Sequence, residues 1–212
     1  MKARKAILVS VAVSVLTIAM AWPALGEIAN TMHGFAILYG GWNTSGEICV
    51  VCHTPHNSKP IAGAPLWNRN DTTVNYTLYS SPSLLSTPGQ PSGATRLCLG
   101  CHDGTVALEI FGRTTTGTHY VSMWGLIGTN LSNDHPVSIV YDSALATASG
   151  GRLRDPAVTQ SGLGGTIQQK MLRSGKLECV SCHNPHGGVN NNGYMLLKWP
   201  ADPPLCLTCH NK

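Results

Sequence analysis

The distribution of cysteine constrains this chain more than any other feature of its sequence. All eight cysteines fall in one pattern, in which two cysteines separated by two residues are followed at once by a histidine, and the pattern occurs four times. The four copies are Cys49-Val50-Val51-Cys52-His53, Cys98-Leu99-Gly100-Cys101-His102, Cys179-Val180-Ser181-Cys182-His183 and Cys206-Leu207-Thr208-Cys209-His210. Since histidine makes up 9 of 212 residues, its presence after all four pairs by chance has a probability of about three in a million.

This spacing is the attachment signature of haem c. Two thiols one turn apart can add to the two vinyl groups of a porphyrin, and the imidazole of the next residue then lies beneath the iron. Disulfides or zinc sites would use the cysteines but would leave the four histidines unexplained. We therefore predict four haem c cofactors with iron, attached through Cys49, Cys52, Cys98, Cys101, Cys179, Cys182, Cys206 and Cys209. The predicted proximal iron ligands are His53, His102, His183 and His210.

The four motifs are of two alternating types. The first and third continue as His-x-Pro-His, whereas the second and fourth begin as Leu-Cys-Leu. The order A, B, A, B predicts an internal duplication. We expect a single tetrahaem domain over residues 27–212, built of two di-haem halves at about 27–134 and 135–212.

Five histidines lie outside the motifs, and the duplication sorts them. His56 and His186 each end a His-x-Pro-His segment, and His33 and His135 each precede a type A motif, which gives two per half. We predict these four as distal iron ligands, whereas His119 has no equivalent and is predicted to be a surface residue. The methionines that could replace them do not follow the repeat, so bis-histidine, low-spin, low-potential haems are expected.

The spacing of the His-x-Pro-His segments also constrains the haem arrangement. His56 follows His53 too closely to reach the opposite face of the same porphyrin, and His186 is equally close to His183. Each segment should therefore join two neighbouring haems, and electron tunnelling is fast between haems in near contact. A haem enzyme needs an iron with an open position, but five candidate histidines serve four irons here, so electron transfer rather than catalysis is predicted.

The N-terminal residues predict a signal peptide over residues 1–26. A basic start is followed by an apolar run and by small residues at Ala24-Leu25-Gly26, and the run is short for a membrane anchor. The remaining chain has 11 basic and 10 acidic residues, a net charge of about +1. We expect an exported protein with no stable membrane anchor and no nucleic-acid partner.

The whole of the exported chain resembles a known family. The A, B, A, B motifs, the segment Leu131-Ser132-Asn133-Asp134-His135-Pro136 and a histidine soon after the signal resemble the extracellular tetrahaem c-type cytochromes of the OmcE type, which polymerise into nanowires. The resemblance implies a mostly irregular or coil fold with short α-helices and little sheet, wrapped around a chain of four haems. With two Phe, 23 Gly and 13 Pro, the chain has few bulky side chains, and the porphyrins would fill its interior.

The resemblance further implies a head-to-tail homopolymer at the cell surface or outside the cell, with one distal histidine donated between subunits. Its other partners would be upstream redox proteins and an external electron acceptor. If His186 reaches back into the first half, its equivalent His56 would reach the preceding subunit, and His33 is the alternative crossing ligand. A soluble periplasmic tetrahaem carrier, with all its distal ligands in one chain, is the alternative function.

Overall fold

A computed structural model describes residues 28–35, 41–43, 45–61, 64–187, 195–198 and 204–211 of the chain. The predicted signal peptide, residues 1–26, lies outside the described residues. Most of the described chain is coil and turn, with a few short helices and one small sheet. The expected fold class, irregular backbone with short helices and little sheet, is confirmed at this level.

The regular elements are short. Within the described residues the α-helices are α1 (Gly93–His102), α2 (Ser143–Ala148), α3 (Ile167–Lys170) and α4 (Leu205–Cys209). Single 3₁₀ turns span Cys49–Val51, Met123–Gly125 and Cys179–Ser181. The strands β1 (Ile139–Val140) and β2 (Lys176–Leu177) pair antiparallel, with Ile139 opposite Leu177. None of the helices in these ranges has both the length and the apolar character needed to cross a bilayer.

Side-chain caps fix where the two central helices begin. The Asp142 carboxylate accepts the N–H of Leu145 at 2.8 Å, which satisfies a free donor at the start of α2. At the start of α3, Thr166 and Gln169 bond each other's backbone N–H groups in a capping box. These caps stabilise helices too short to form on their own, and they hold the segment that carries most of the apolar core.

The apolar core consists of two small clusters rather than one large one. The larger cluster surrounds the two-stranded sheet and contains Ile139, Tyr141, Ile167, Met171, Leu172 and Leu177. The smaller cluster lies against α1 and contains Tyr76, Leu99 and Leu131. Because both clusters are next to cysteine motifs, the core and the motifs share the interior of the molecule.

A buried carboxylate joins the two halves. Glu178 is 3% exposed and precedes Cys179 directly. It accepts the N–H of Thr95 at 3.2 Å and the hydroxyl of Ser138 at 3.1 Å. The Thr95 hydroxyl in turn accepts the N–H of Cys179 at 3.1 Å. These bonds pack α1, which carries the second motif, against the turn that carries the third.

Candidate haem site

Each cysteine motif forms one tight turn that brings its three functional side chains together. In the first and third motifs the turn is a 3₁₀ helix, and the N–H of the histidine donates to the carbonyl of the first cysteine, at 2.8 Å for His53 and 3.0 Å for His183. The second motif ends α1 at His102, and the fourth lies in α4 and ends at His210. Residues three and four positions apart share one side of a helical turn, so both thiols and the imidazole can face one porphyrin.

In each half, a later segment of the chain bonds to the cysteine motif in the same way. The residue after the motif histidine donates its N–H to the carbonyl of a residue with positive φ. Two positions after that residue, another N–H donates to the carbonyl of the second cysteine. The bonds are Thr54 N–H to Leu66 O (2.8 Å), Asn68 N–H to Cys52 O (2.9 Å), Asn184 N–H to Met195 O (2.7 Å) and Leu197 N–H to Cys182 O (2.8 Å). Leu66 and Met195 have φ values of 54° and 51°. The repeat in the sequence therefore has a counterpart in backbone conformation.

Backbone carbonyls orient two of the motif histidines. The Nδ1–H of His53 donates to the carbonyl of Pro65 at 2.8 Å, and that of His102 donates to the carbonyl of Gly125 at 2.6 Å. A bond at Nδ1 fixes the tautomer in which Nε2 has a free lone pair, and this is the arrangement that iron-binding histidines use. Both imidazoles are thus held ready to coordinate through Nε2.

Three of the predicted distal histidines face a motif histidine. The ring centres are 6.0 Å apart for His33 and His102, 6.0 Å for His53 and His186, and 6.2 Å for His135 and His210. Burial is the main cause that lowers the pKa of both His33 and His186. The neutral imidazole, which is the form that binds metals, is therefore favoured at both positions.

These separations fit an iron held between two imidazoles. A metal–nitrogen bond to histidine is about 2.0 Å, and the ring centre lies about 1.1 Å beyond the nitrogen, so two axial rings have centres about 6.2 Å apart. The observed pairs match that value, although the rings come from segments far apart in the chain. Among the described residues, no group of three or more His, Cys, Asp or Glu side chains is arranged to hold a bare metal ion.

The two remaining histidines outside the motifs have different surroundings. His56 is exposed, and in the described part of the chain no histidine ring pairs with it. His119 is 48% exposed and forms an ion pair with Glu109. Although partial burial of Glu109 acts to raise its pKa, hydrogen bonds from His119 and nearby N–H groups lower it to about 2. His119 thus lies at the surface, where the sequence predicts it.

A cavity of about 190 Å³ opens beside the third motif. Cys179, Cys182 and His183 line one part of it, and residues of both halves line the rest. The apolar lining from the first half includes Leu78, Leu99, Ile127 and Leu131. A porphyrin attached to the third motif would therefore lie against both halves of the chain.

The thiols of successive motifs are neighbours. No disulfide joins any two of the eight cysteines. Burial raises the pKa of Cys52 to about 12, with Cys101 as the next cause, and burial raises that of Cys182 to about 11, with Cys209 next. A hydrogen bond between Cys98 and Cys179 raises the pKa of Cys98 and lowers that of Cys179. The second and third motifs are thus in direct contact.

Three polar groups near the motifs are not evident from the cysteine pattern. Arg69 directly follows Asn68, which bonds to Cys52, and Lys198 directly follows Leu197, which bonds to Cys182. Both cations are buried, with exposed fractions of 2% for Arg69 and 8% for Lys198. The indole N–H of Trp67 is buried without a hydrogen-bond partner, and its ring lies 6.0 Å from that of His53. A haem propionate would supply an acceptor for such a donor, so the surroundings of the first motif fit the group. Only the alignment of the two halves, which pairs Arg69 with Lys198, could have indicated the cations from sequence.

Comparison with known proteins supports the interpretation of the motifs. A family model described as the doubled CXXCH motif matches residues 170–212, which contain the third and fourth motifs. The search of curated proteins found no match. Over these residues the chain is similar to the doubled-CXXCH family. The match supports a multihaem c-type cytochrome with covalently bound haem c.

Proposed function

We propose that this protein transfers electrons through four haem c groups, each with histidine on both faces of its iron. The observation that carries the proposal is the set of three facing histidine pairs, each joining a motif histidine to a predicted distal histidine at 6.0 or 6.2 Å. When bound, each haem takes up and releases one electron at its iron. Because the motifs repeat, we expect the iron at His183 to have a second histidine ligand as well.

The chain's own residues attach the haems and close their irons to substrates. The cysteines fix each porphyrin, and the carbonyls of Pro65 and Gly125 orient the rings of His53 and His102. A second imidazole at 6.0 Å from each of these rings would fill the opposite axial position. Since a reductase needs an open position, this ligation favours electron transfer over catalysis.

The neighbouring thiols support one connected group of haems. The second motif lies beside the third, and His186, three residues after the third motif, reaches the first motif's iron position. The cavity at the third motif is lined by both halves. We propose one tetrahaem domain over 27–212, in which the di-haem halves 27–134 and 135–212 contribute to each other's haem sites.

We further propose that the protein is the subunit of an extracellular filament, and that His56 is the histidine that crosses between subunits. Within the chain, His186 faces His53, which belongs to the half before it. His56 is the equivalent residue, is exposed, and belongs to the first half, so the corresponding iron position would be the third haem of a neighbouring copy. His33 faces His102 of its own chain, which favours His56 over His33 as the crossing ligand. Such a contact is head-to-tail and does not close.

The proposed location of the filament indicates which electron donors and acceptors it would meet. After export and removal of residues 1–26, electrons would enter from upstream redox proteins and leave to an acceptor outside the cell. The alternative is a soluble periplasmic carrier with the same haems and with all distal ligands in one chain.

The His56→Ala variant tests the filament. In negative-stain images and size-exclusion chromatography, wild type should form filaments, whereas His56→Ala should give soluble subunits that retain four haems by mass. One iron of the variant should be high-spin, and added imidazole should restore its low-spin spectrum. His119→Ala, another exposed histidine, is the matched control and should form filaments.

Three results would contradict parts of the proposal. Intact filaments in His56→Ala would exclude His56 as the crossing ligand. Wild type that stays a single subunit at high concentration would favour the periplasmic carrier. A secreted wild-type chain with the mass of the bare polypeptide would overturn the electron-transfer function itself.

A further inference from the structure

We propose that Arg69 and Lys198 set the reduction potentials of the first and fourth haems, because each holds a buried positive charge beside one attachment turn. The inference rests on the proposed electron-transfer function and deepens it, since it states which irons are easier to reduce. Both charges belong to side chains of the protein that hydrogen bonds hold in place.

Arg69 is held inside the molecule by backbone carbonyls. Its Nη1 donates to the carbonyl of Leu108 and its Nη2 to that of Ala107, each at 2.9 Å. Among the described residues, no carboxylate forms an ion pair with it. An arginine stays protonated even when buried, so the site carries a full positive charge that side-chain anions of the described chain do not neutralise.

The position of Arg69 relative to the first two motifs follows from the backbone on either side of it. The preceding residue, Asn68, donates its N–H to Cys52 at 2.9 Å and its side-chain amide to Val50 at 2.5 Å. The carbonyl oxygen of the following residue, Asn70, lies 3.8 Å from where a Cβ of Gly100 would lie, inside the second motif. Arg69 thus lies between the attachment points of the first and second haems.

Lys198 occupies the equivalent place in the second half. Its Nζ donates to the carbonyl of Ser161 at 2.9 Å and to the hydroxyl of Thr208 at 2.8 Å. Thr208 lies between the two cysteines of the fourth motif. The backbone of Lys198 therefore directly follows Leu197, which bonds to Cys182. Its Nζ contacts Thr208 in the fourth attachment turn.

Burying a cation is costly, so its recurrence at the same place in both halves requires an explanation. A structural bond to carbonyls could be made by a neutral donor such as glutamine. A positive charge near a haem favours the reduced iron, which carries one positive charge less, and the effect is strong where water is excluded. This effect would raise the potential of the nearest haem.

Other buried charges differ from motif to motif. The Asp103 carboxylate is buried and directly follows His102, so its negative charge opposes Arg69 at the second motif. The buried Glu178 carboxylate precedes the third motif. The cations should therefore act most on the first and fourth haems, while the third haem, beside an anion, should have a lower potential.

Potentiometric titration of the secreted holoprotein, followed by its visible spectrum, tests the proposal. Arg69→Gln and Lys198→Met remove one charge each with little change in side-chain volume. Each should move one part of the titration curve to lower potential, and the double variant should move two. Arg69→Lys and Lys198→Arg keep the charge and should leave the curve nearly unchanged, as should Arg96→Gln, which removes a half-buried arginine that is already paired with Asp71.

The outcome is separable from that of the proposed function, which fails only if wild type lacks four low-spin haems. Unchanged titration curves in charge-removing variants that retain four haems would overturn the inference. If those variants fail to mature, assignment of the midpoints to individual haems by NMR of the soluble His56→Ala subunit decides the question, because its first, second and fourth irons keep both imidazoles. The first and fourth haems should then have higher potentials than the second, where Asp103 opposes Arg69, and the reverse order would overturn the proposal.

Discussion

The two halves of the chain use the same attachment turn and the same return segment, yet the histidines that end their His-x-Pro-His segments have different environments. In the second half His186 lies 6.0 Å from His53, which belongs to the first half. In the first half the equivalent His56 is exposed. The local sequence thus determines the direction of this histidine, and the neighbouring segment determines whether it meets a partner ring.

The largest expected effect concerns the contact between the halves at the third haem site. Replacing Cys179 and Cys182 by Ala should remove one haem and should lower the unfolding temperature more than the same change at Cys206 and Cys209. The reason is that the cavity of the third motif is lined by both halves. Intact-mass spectrometry and thermal unfolding would measure both effects, and equal losses of stability would show that the third site does not join the halves.

A second prediction uses the difference between the two equivalent histidines. His186→Ala should convert one low-spin iron to high-spin at any protein concentration, because its partner lies in the same chain. His56→Ala should also leave one iron high-spin, but it should abolish filaments, whereas chains of His186→Ala still carry His56. Electron paramagnetic resonance together with negative-stain images of both variants would distinguish them. An unchanged spectrum in His186→Ala would refute the assignment of that pair.

The acidic residues that precede the type A motifs give a third comparison. Glu178→Ala should reduce the free energy of unfolding by about 3 kcal/mol, since it leaves the buried N–H of Thr95 and the Ser138 hydroxyl without their acceptor. Glu47→Ala, at an exposed position in the first half, should change it by less than about 0.5 kcal/mol. Chemical denaturation of both variants is the measurement, and similar values would contradict the role of Glu178.

The smallest effect is expected at the surface pair of the first half. His119→Ala should cost about 0.5 kcal/mol or less at neutral pH. The pKa of Glu109 is lowered from 4.5 to about 2, so the stability that its carboxylate contributes is present above pH 4.5 and is lost as the pH falls toward 2. The difference between wild type and His119→Ala should therefore shrink over that range in pH-dependent thermal unfolding, and a constant difference would contradict the pair.

The attachment motifs could be predicted because they depend on a local pattern, whereas the irregular fold was expected from the resemblance to a known family. The cysteine spacing alone identifies the turns, and the scarcity of bulky side chains agrees with the small core clusters. The predicted distal histidines also came from the repeat, since number and symmetry select His33, His56, His135 and His186.

The pairing of those histidines could not be predicted, because it depends on contacts between distant segments. Nothing local to His33 indicates that its ring lies beside His102, or that its Nδ1–H donates to the carbonyl of Pro185 at 3.0 Å. The roles of Glu178, Arg69 and Lys198 were missed for the same reason. Acidic and basic residues are usually solvated, and only the tertiary structure shows that these three are buried.

The facing rings of His53 and His186 also bear on the order in which the protein can be completed. A polypeptide is made from its N-terminus, so the first attachment turn exists long before the segment that carries His186. Attachment of a haem at Cys49 and Cys52 would leave its iron with one axial histidine until most of the chain has been synthesised and folded back. During that interval the first iron would be open to small ligands in solution, so the first site would close only after the segment of the third motif has been made.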